Sequence, residues 1–428
     1  MSLADAPKPF RPLPIRALNL GGRALAALGV RLPSLAEADL LAAAERATAL
    51  SDFGADSFRP GLRELLRCFA GEAQLTTLGR AMARGSVIAA LGARLRLVDW
   101  RKRHPEIARE EIRRPLFVLG MPRTGTTLLH GLLAQDPAAR APLSWEVSEP
   151  CPAPESASFE SDPRIAAARA RERDIEKIAP GFLAIHPIGA QLPQECVALT
   201  APEFMSMQWE ATYPVPSYQR WWEAQDHAPT FRWHRAFLQH LQSRHRRERW
   251  VLKTPAHLLT LDALFAEYPD ALIVQTHRAP SEVVASLASL ECTLRGAASD
   301  AIDPRAQGRE AADLIERMLR AGIAARAARP EREAQFFDLA YPDLVADPIG
   351  SVKRLYQHFA LECSLDAEEN MRRFLGENAS DKHGVHKYAP AVFGLDSAEL
   401  SRRYAFYTQR HDVRGSRGHN TRPSRSEP

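Results

Sequence analysis

Residues 116–130 read Leu-Phe-Val-Leu-Gly-Met-Pro-Arg-Thr-Gly-Thr-Thr-Leu-Leu-His: an apolar run, a short loop bounded by Gly120 and Gly125, and a second apolar stretch with helical spacing. A strand this apolar must be covered on both faces, which places it inside a parallel sheet. Three more short runs follow, WVLK at 250–253, ALIVQT at 271–276 and FFDLA at 336–340, and helical patterns separate them. Strands alternating with helices in this way predict right-handed crossovers and an α/β fold whose parallel sheet is flanked by helices.

The loop has the context of a phosphate cradle. A strand, a glycine-bounded turn and a helix N-terminus aim successive backbone N–H groups at one point, and such a concavity holds an anion. Against the nucleoside-triphosphate pattern GxxxxGK[ST], Gly120 and Gly125 are in register and Thr127 takes the hydroxyl position, but Thr126 replaces the lysine. Without that charge the usual contact to the β and γ phosphates is missing, which counts against a kinase or NTPase. What remains is a P-loop-like anion site with Arg123 at its mouth. A second segment, residues 271–286, ends its strand at Arg278, puts Pro280 in the first turn of a helix and Ser286 two turns on. An arginine and a hydroxyl at the same sheet edge suit a second phosphate.

Outside these motifs the chain divides by pattern. Residues 1–113 form a helical N-terminal section: positions 1–33 are rich in proline and arginine, helical periodicity runs from Ser34 to Arg113, and Ser34 with Glu37 has the form of a capping box. The α/β domain spans 114–409, with a helical insertion at about 150–249 that carries Phe204, Trp209, Tyr213, Tyr218, Trp221, Trp222, Phe231 and Trp233. These aromatics are expected to pack the insertion on the sheet, a minority lining a pocket. Residues 410–428 are polar and Arg/Ser/Gly-rich and are expected to be disordered.

Composition closes off other classes. Among 428 residues, 56 basic against 52 acidic leaves a net charge of only +4, so no general case for nucleic-acid binding arises. The run Arg244–Arg249 carries no interleaved aromatics and reads as a solvated helix end. Five scattered cysteines with no CxxC spacing predict neither a disulfide framework nor a zinc site, and His383 with His386 lacks partners for one, so no metal is expected. No run approaches the ~18 apolar residues of a membrane span. A cytoplasmic protein is expected, with peripheral membrane contact left open.

Pro122-Arg-Thr-Gly-Thr-Thr127, followed by Arg278 and Ser286 eight residues apart, resembles the 5′-phosphosulfate loop and 3′-phosphate site of the sulfotransferases that use 3′-phosphoadenosine 5′-phosphosulfate (PAPS). The stretch from about Leu35 to Tyr407 is similar to the large bacterial branch of that superfamily, with further echoes at Trp145-Glu146, Trp250–His257, Tyr341–Pro348 and His386–Gly394. The resemblance implies PAPS as co-substrate and in-line transfer of the sulfuryl group to a hydroxyl or amine, without a metal. It implies that Arg123, Thr124, Gly125, Thr126 and Thr127 hold the phosphosulfate, that Arg278 and Ser286 hold the 3′-phosphate, and that Arg123 and Lys253 stabilise the transferring sulfonate.

Lys253 is one of only seven lysines, a sign that a compact ammonium is wanted at that strand end. Cytosolic relatives place a histidine two residues after this lysine, but here Pro255 stands there. In the branch with PRxGTT the base is a glutamate some twenty residues past the loop, so Glu146 is the expected catalytic base, with Glu149 its nearest competitor and His257 and His186 weaker ones. Lys387 is a loose match to a late basic residue on the 3′-phosphate. The expected partner is a small-molecule or lipid-like acceptor, on the strength of the aromatic insertion and the Leu/Ala-rich front helices. The alternatives are a P-loop nucleotide kinase or hydrolase, and a non-catalytic nucleotide-binding scaffold.

Overall fold

The computed structural model describes residues 11–178, 189–378 and 389–413. Five strands form one sheet: β1 (Leu116–Gly120), β2 (Ala139–Arg140), β3 (Arg249–Lys253), β4 (Leu272–His277) and β5 (Phe336–Ala340). Their order is β2-β3-β1-β4-β5 and every neighbouring pair is parallel. β1 is buried throughout and lies between β3 and β4, with Val118 opposite Lys253 and Gly120 opposite Thr276. The protein is thus an α/β fold with a parallel sheet flanked by helices. The four expected strands are present, and the two-residue edge strand β2 is too short to leave a pattern in the sequence.

The alternation within β1 explains why both sheet faces are covered. Phe117 and Leu119 enter one core with Ile273, Phe237, Leu241, Val283, Leu287 and Ile315. Leu116 and Val118 enter the other with Val274, Leu129, Leu133, Val352, Leu355 and Met371. Helices Ala228–Gln242, Pro280–Ala298 and Pro304–Ala327 supply the first face, and Thr126–Leu133, Pro348–His358 and Leu365–Glu377 the second.

The front of the chain holds α1 (Leu13–Ala27), α2 (Glu37–Thr48), α3 (Arg59–Gly71) and α4 (Thr77–Arg103). Ser34 does not cap α2: Ala36 is the N-cap residue, Ser34 Oγ accepts from the Ala36 N–H at 3.2 Å, and Glu37 pairs instead with Arg59 and Arg63. The insertion also packs differently from expectation. Phe204, Trp209, Tyr213, Tyr218 and Trp222 form a core with Phe58, Leu62, Phe69 and Leu91 of the front helices, and of the cluster only Phe231 and Trp233 join the sheet-side core. Arg94 on α4, itself buried, bridges the two sections by reaching Glu203 at 2.5 Å and the carbonyl of Phe53 at 2.8 Å. No described helix is long and apolar enough to cross a membrane.

Candidate active site

The loop after β1 owes its shape to three residues with positive φ: Gly120 at 141°, Arg123 at 67° and Gly125 at 84°. At Gly125 a Cβ would lie 2.9 Å from Leu344 Cδ2 and 3.0 Å from the Tyr341 ring, so both conformation and space require glycine. Thr124 is fully buried; its Oγ1 donates to the Met121 carbonyl at 2.7 Å and lies 2.6 Å from Thr276 Oγ1, which pins the loop to β4. Gly125 is the N-cap of α5 (Thr126–Leu133), and no side chain caps that helix. Its first N–H groups therefore face outward beside exposed Thr127 and Arg123, while Thr126 is buried.

The two anion motifs meet. Arg123 Nε donates to Ser286 Oγ at 3.1 Å, and Arg278 Nη1 donates to the Arg123 carbonyl at 3.1 Å. Arg278 is aimed by Glu282, at 3.0 Å from its Nε, and by Tyr341, whose ring centre lies 4.4 Å from the guanidinium carbon. These residues come from the carboxyl ends of β1, β4 and β5, the edge at which open α/β sheets bind ligands.

Lys253 ends β3 on the same edge. Its ammonium is almost fully buried and forms an ion pair with Glu195, the residue before helix Cys196–Thr200. The neighbours of this pair, Cys196 and Thr254, open onto a cavity of about 20 Å³ walled by Val197, Met205, Met207, Trp222 and Phe231. His257 also lines it, held neutral by burial and by the nearby His234 and His227, and its Nε2 has no hydrogen-bond partner among the described residues.

Glu146 lies on the short helix that follows β2. It is fully buried in α6 (Ser144–Ser148), where Oε1 accepts from the Leu143 N–H at 2.9 Å and Oε2 from Arg140 at 2.5 Å. Arg140 also donates to the carbonyls of Leu241, at 2.5 Å, and His245, at 2.6 Å. Burial pushes the Glu146 carboxyl up, against the pull of Arg140. Both oxygens are thus held by partners inside the protein. Glu149 is half-exposed and paired with Arg171 at 2.6 Å. His186, His383, His386 and Lys387 lie outside the described residues, as does the tail beyond 413. Glu195 was not singled out from the sequence; no spacing marks it, and only its contact with Lys253 brings it forward.

One described trio, His277, Asp338 and His411, has ligand atoms within 4.8 Å of one another. His277 spends its nitrogens on Asp338 at 2.7 Å and Tyr407 at 2.6 Å, and the Arg326 guanidinium sits 2.7 Å from Asp338. A cation already neutralises that carboxylate, so the trio is a poor metal site.

Basic side chains gathered at the edge of an α/β sheet, with an ammonium–carboxylate pair beside an apolar cavity, are the parts a group-transfer enzyme needs. The sulfotransferase family model matches residues 115–365, and the chain belongs to the sulfotransferase family. It is 26% identical over 300 residues to omega-hydroxy-beta-dihydromenaquinone-9 sulfotransferase Stf3 of Mycobacterium tuberculosis, covering 63% of this chain and 68% of that protein. Among solved structures, sulfotransferase STF1 of Mycobacterium tuberculosis superposes with a TM-score of 0.78 at 38% identity, covering 87% of this chain and 98% of that one. Sulfotransferase STF9 of Mycobacterium avium gives 0.81 at 28% identity, covering 90% and 99%. The protein is a sulfotransferase, and nothing in these matches favours the kinase or hydrolase reading.

Proposed function

We propose that this enzyme moves the sulfuryl group of PAPS to a hydroxyl on an apolar, lipid-like acceptor. The observation that carries the reading is the convergence of Arg123, Ser286 and Arg278 at one sheet edge, with Lys253 on the adjacent strand end. The donor's chemistry fits these groups: two separated anionic phosphates, a sulfonate between donor and acceptor, and no requirement for a Walker lysine. On this reading the α5 N-terminus and the loop from Arg123 to Thr127 take the 5′-phosphosulfate. Arg278 and Ser286 take the 3′-phosphate. Arg123 and Lys253 neutralise charge on the transferring sulfonate and on the departing phosphate oxygen.

The proton acceptor is assigned to Glu195 rather than Glu146. Glu195 is partly exposed, lies beside the Lys253 ammonium and is next in sequence to a residue of the apolar cavity. In the transfer, the acceptor oxygen forms the new S–O bond, the bond from sulfur to the donor's 5′-phosphate oxygen breaks, and the acceptor proton passes to the Glu195 carboxylate. At about 20 Å³ the cavity holds no more than a water-sized group, and its Met, Trp and Phe walls give the Lys253–Glu195 pair an apolar surrounding. The name of the Mycobacterium tuberculosis relative, which acts on a hydroxylated menaquinone, supports a hydroxyl-bearing lipid class here. Five unpaired cysteines accord with a cytoplasmic setting.

The test is calorimetric titration with adenosine 3′,5′-bisphosphate beside ADP, each with and without Mg²⁺, followed by PAPS turnover with hydroxylated prenylquinones. Metal-independent binding of the bisphosphate, and sulfated quinone as product, are expected. Preference for ADP with Mg²⁺ would overturn the reading.

A further inference from the structure

α1 is packed with its polar side inward. Asn19 is 3% exposed, and its side chain accepts from the Leu78 N–H at 3.1 Å in the first turn of α4. Gly22 lies so close to Thr77 that a Cβ would collide with its hydroxyl. Just before the helix, Arg11 donates to the carbonyls of Gly296 at 2.8 Å and Ala297 at 2.9 Å, at the end of helix Pro280–Ala298. The fold therefore holds α1 in place without using its leucines.

Those leucines face outward. Leu13, Leu18, Leu20, Leu25 and Leu28 are 78%, 48%, 64%, 42% and 79% exposed. At about 100° per residue they fall on one arc with Ala17, Gly21 and Ala24. Val30 and Leu32 extend the patch past the helix, so that seven of the nine exposed large hydrophobics among the described residues lie between positions 13 and 32. Single exposed leucines are ordinary; a contiguous arc of them marks an interaction surface. Exposed Arg16 and Arg23, two turns apart, border one side of the arc, Arg31 follows, and no Asp or Glu occurs between Asp5 and Glu37.

We propose that α1 is a docking helix that lies in the interface of an anionic membrane. An apolar arc edged by arginines and free of acids matches a bilayer surface, where the leucines enter the acyl boundary and the guanidiniums meet lipid phosphates. The other evident occupant, a second copy of this chain, fits less well. A two-fold contact through this arc would bring the same arginines of both copies together, with no acidic residue on α1 to oppose them.

The experiment is co-sedimentation of the full-length protein with vesicles of phosphatidylcholine alone or mixed with phosphatidylglycerol, at low and high salt. Binding is expected to the anionic vesicles and to weaken with salt. The triple variant L13S/L20S/L28S is expected to lose at least tenfold in partitioning. R16Q and R23Q are each expected to lose roughly fivefold. Circular dichroism and bisphosphate titration should be unchanged in all three, which separates loss of docking from loss of fold or of the nucleotide site. The proposal is overturned if the wild-type protein ignores anionic vesicles, or if the triple variant binds them as well as wild type. It is also overturned if wild type sediments as a dimer that the triple variant converts to a monomer, which would assign the arc to a second copy.

Discussion

Glu146→Gln and Glu195→Gln remove one negative charge each, and the structure separates their consequences. Glu146 and Arg140 have side chains with 0% and 3% exposure, and the guanidinium lies 4.7 Å from the Trp250 ring centre and 5.5 Å from that of Phe159. Amidation leaves the arginine cation in this enclosed setting with only carbonyl partners. Breaking a buried pair by removing one partner costs about 3–5 kcal/mol. With an unfolding entropy of roughly 2 cal/mol/K per residue, a chain of 428 residues loses on the order of 1 °C per kcal/mol, so Tm should fall by about 3–6 °C. Turnover measured well below that temperature should survive. Glu195→Gln also leaves a buried cation, Lys253, without its carboxylate, so Tm should fall too, by less because Glu195 is partly exposed, and kcat should fall about 10²–10⁴-fold, the usual worth of a positioned base. The assay pairs a thermal melt with PAPS turnover for each variant. If Glu146→Gln loses turnover at an unchanged Tm while Glu195→Gln remains active, the assignment is reversed and Glu146 is the base.

Arg278→Ala should weaken adenosine 3′,5′-bisphosphate binding by about 10- to 100-fold, the worth of charge-assisted hydrogen bonds of ~1.5–3 kcal/mol, with little change for adenosine 5′-phosphate; equal losses for both nucleotides would detach Arg278 from the 3′-phosphate. Gly125→Ala should abolish bisphosphate binding in a folded protein, because the left-handed conformation costs about 1–2 kcal/mol and the methyl group meets Tyr341 and Leu344 at 3.0 and 2.9 Å; unaltered affinity in titration would show that the loop shape is not what binds. Glu291 has its carboxyl pushed up to about 8 by burial and then by the charge of Glu310, with Arg295 3.9 Å away and Gln307 donating at 3.1 Å. A raised carboxyl stabilises the fold below its unfolded pKa and loses that contribution as pH rises towards 8, so Glu291→Gln should flatten the decline by at most about 1.4 kcal/mol per pH unit. Denaturant melts from pH 5 to 9 that run parallel for variant and wild type would refute it.

Much of this architecture was legible because it is written in short-range patterns. The runs at 116–121, 250–253 and 271–276 are buried along nearly their whole length, as a covered parallel sheet requires, while the edge run 336–340 is marked by its aromatics and interrupted by exposed Asp338. The anion loop was legible because Gly120 and Gly125 serve backbone geometry that few other residues tolerate. The partners of the carboxylates were not. Glu146 and Glu195 each stand at a short helix after a turn, and their difference lies in distant partners, Arg140 for one and Lys253 for the other. The direction of the insertion's aromatics was hidden for the same reason, since Phe204 and Tyr218 satisfy any apolar neighbour and the one they met was α3 and α4. α1 escaped notice because proline and arginine in its neighbourhood outweighed its leucines, yet Pro14 sits in the first turn, where it does no harm.

The parallel pairing of β1 with β3 and β4 also sets an order of events in time. β1 finds neither neighbour until the chain has run through the whole insertion, well over a hundred residues later. Such long loops are slow to close, and the helices of the front section can form well before the sheet does. The proposed donor site, which draws on the ends of β1, β3 and β4 at once, is then among the last features to form during refolding. Gain of nucleotide binding would follow the recovery of helical signal rather than accompany it, and a chain stalled before that step would be helical, collapsed and unable to hold its donor.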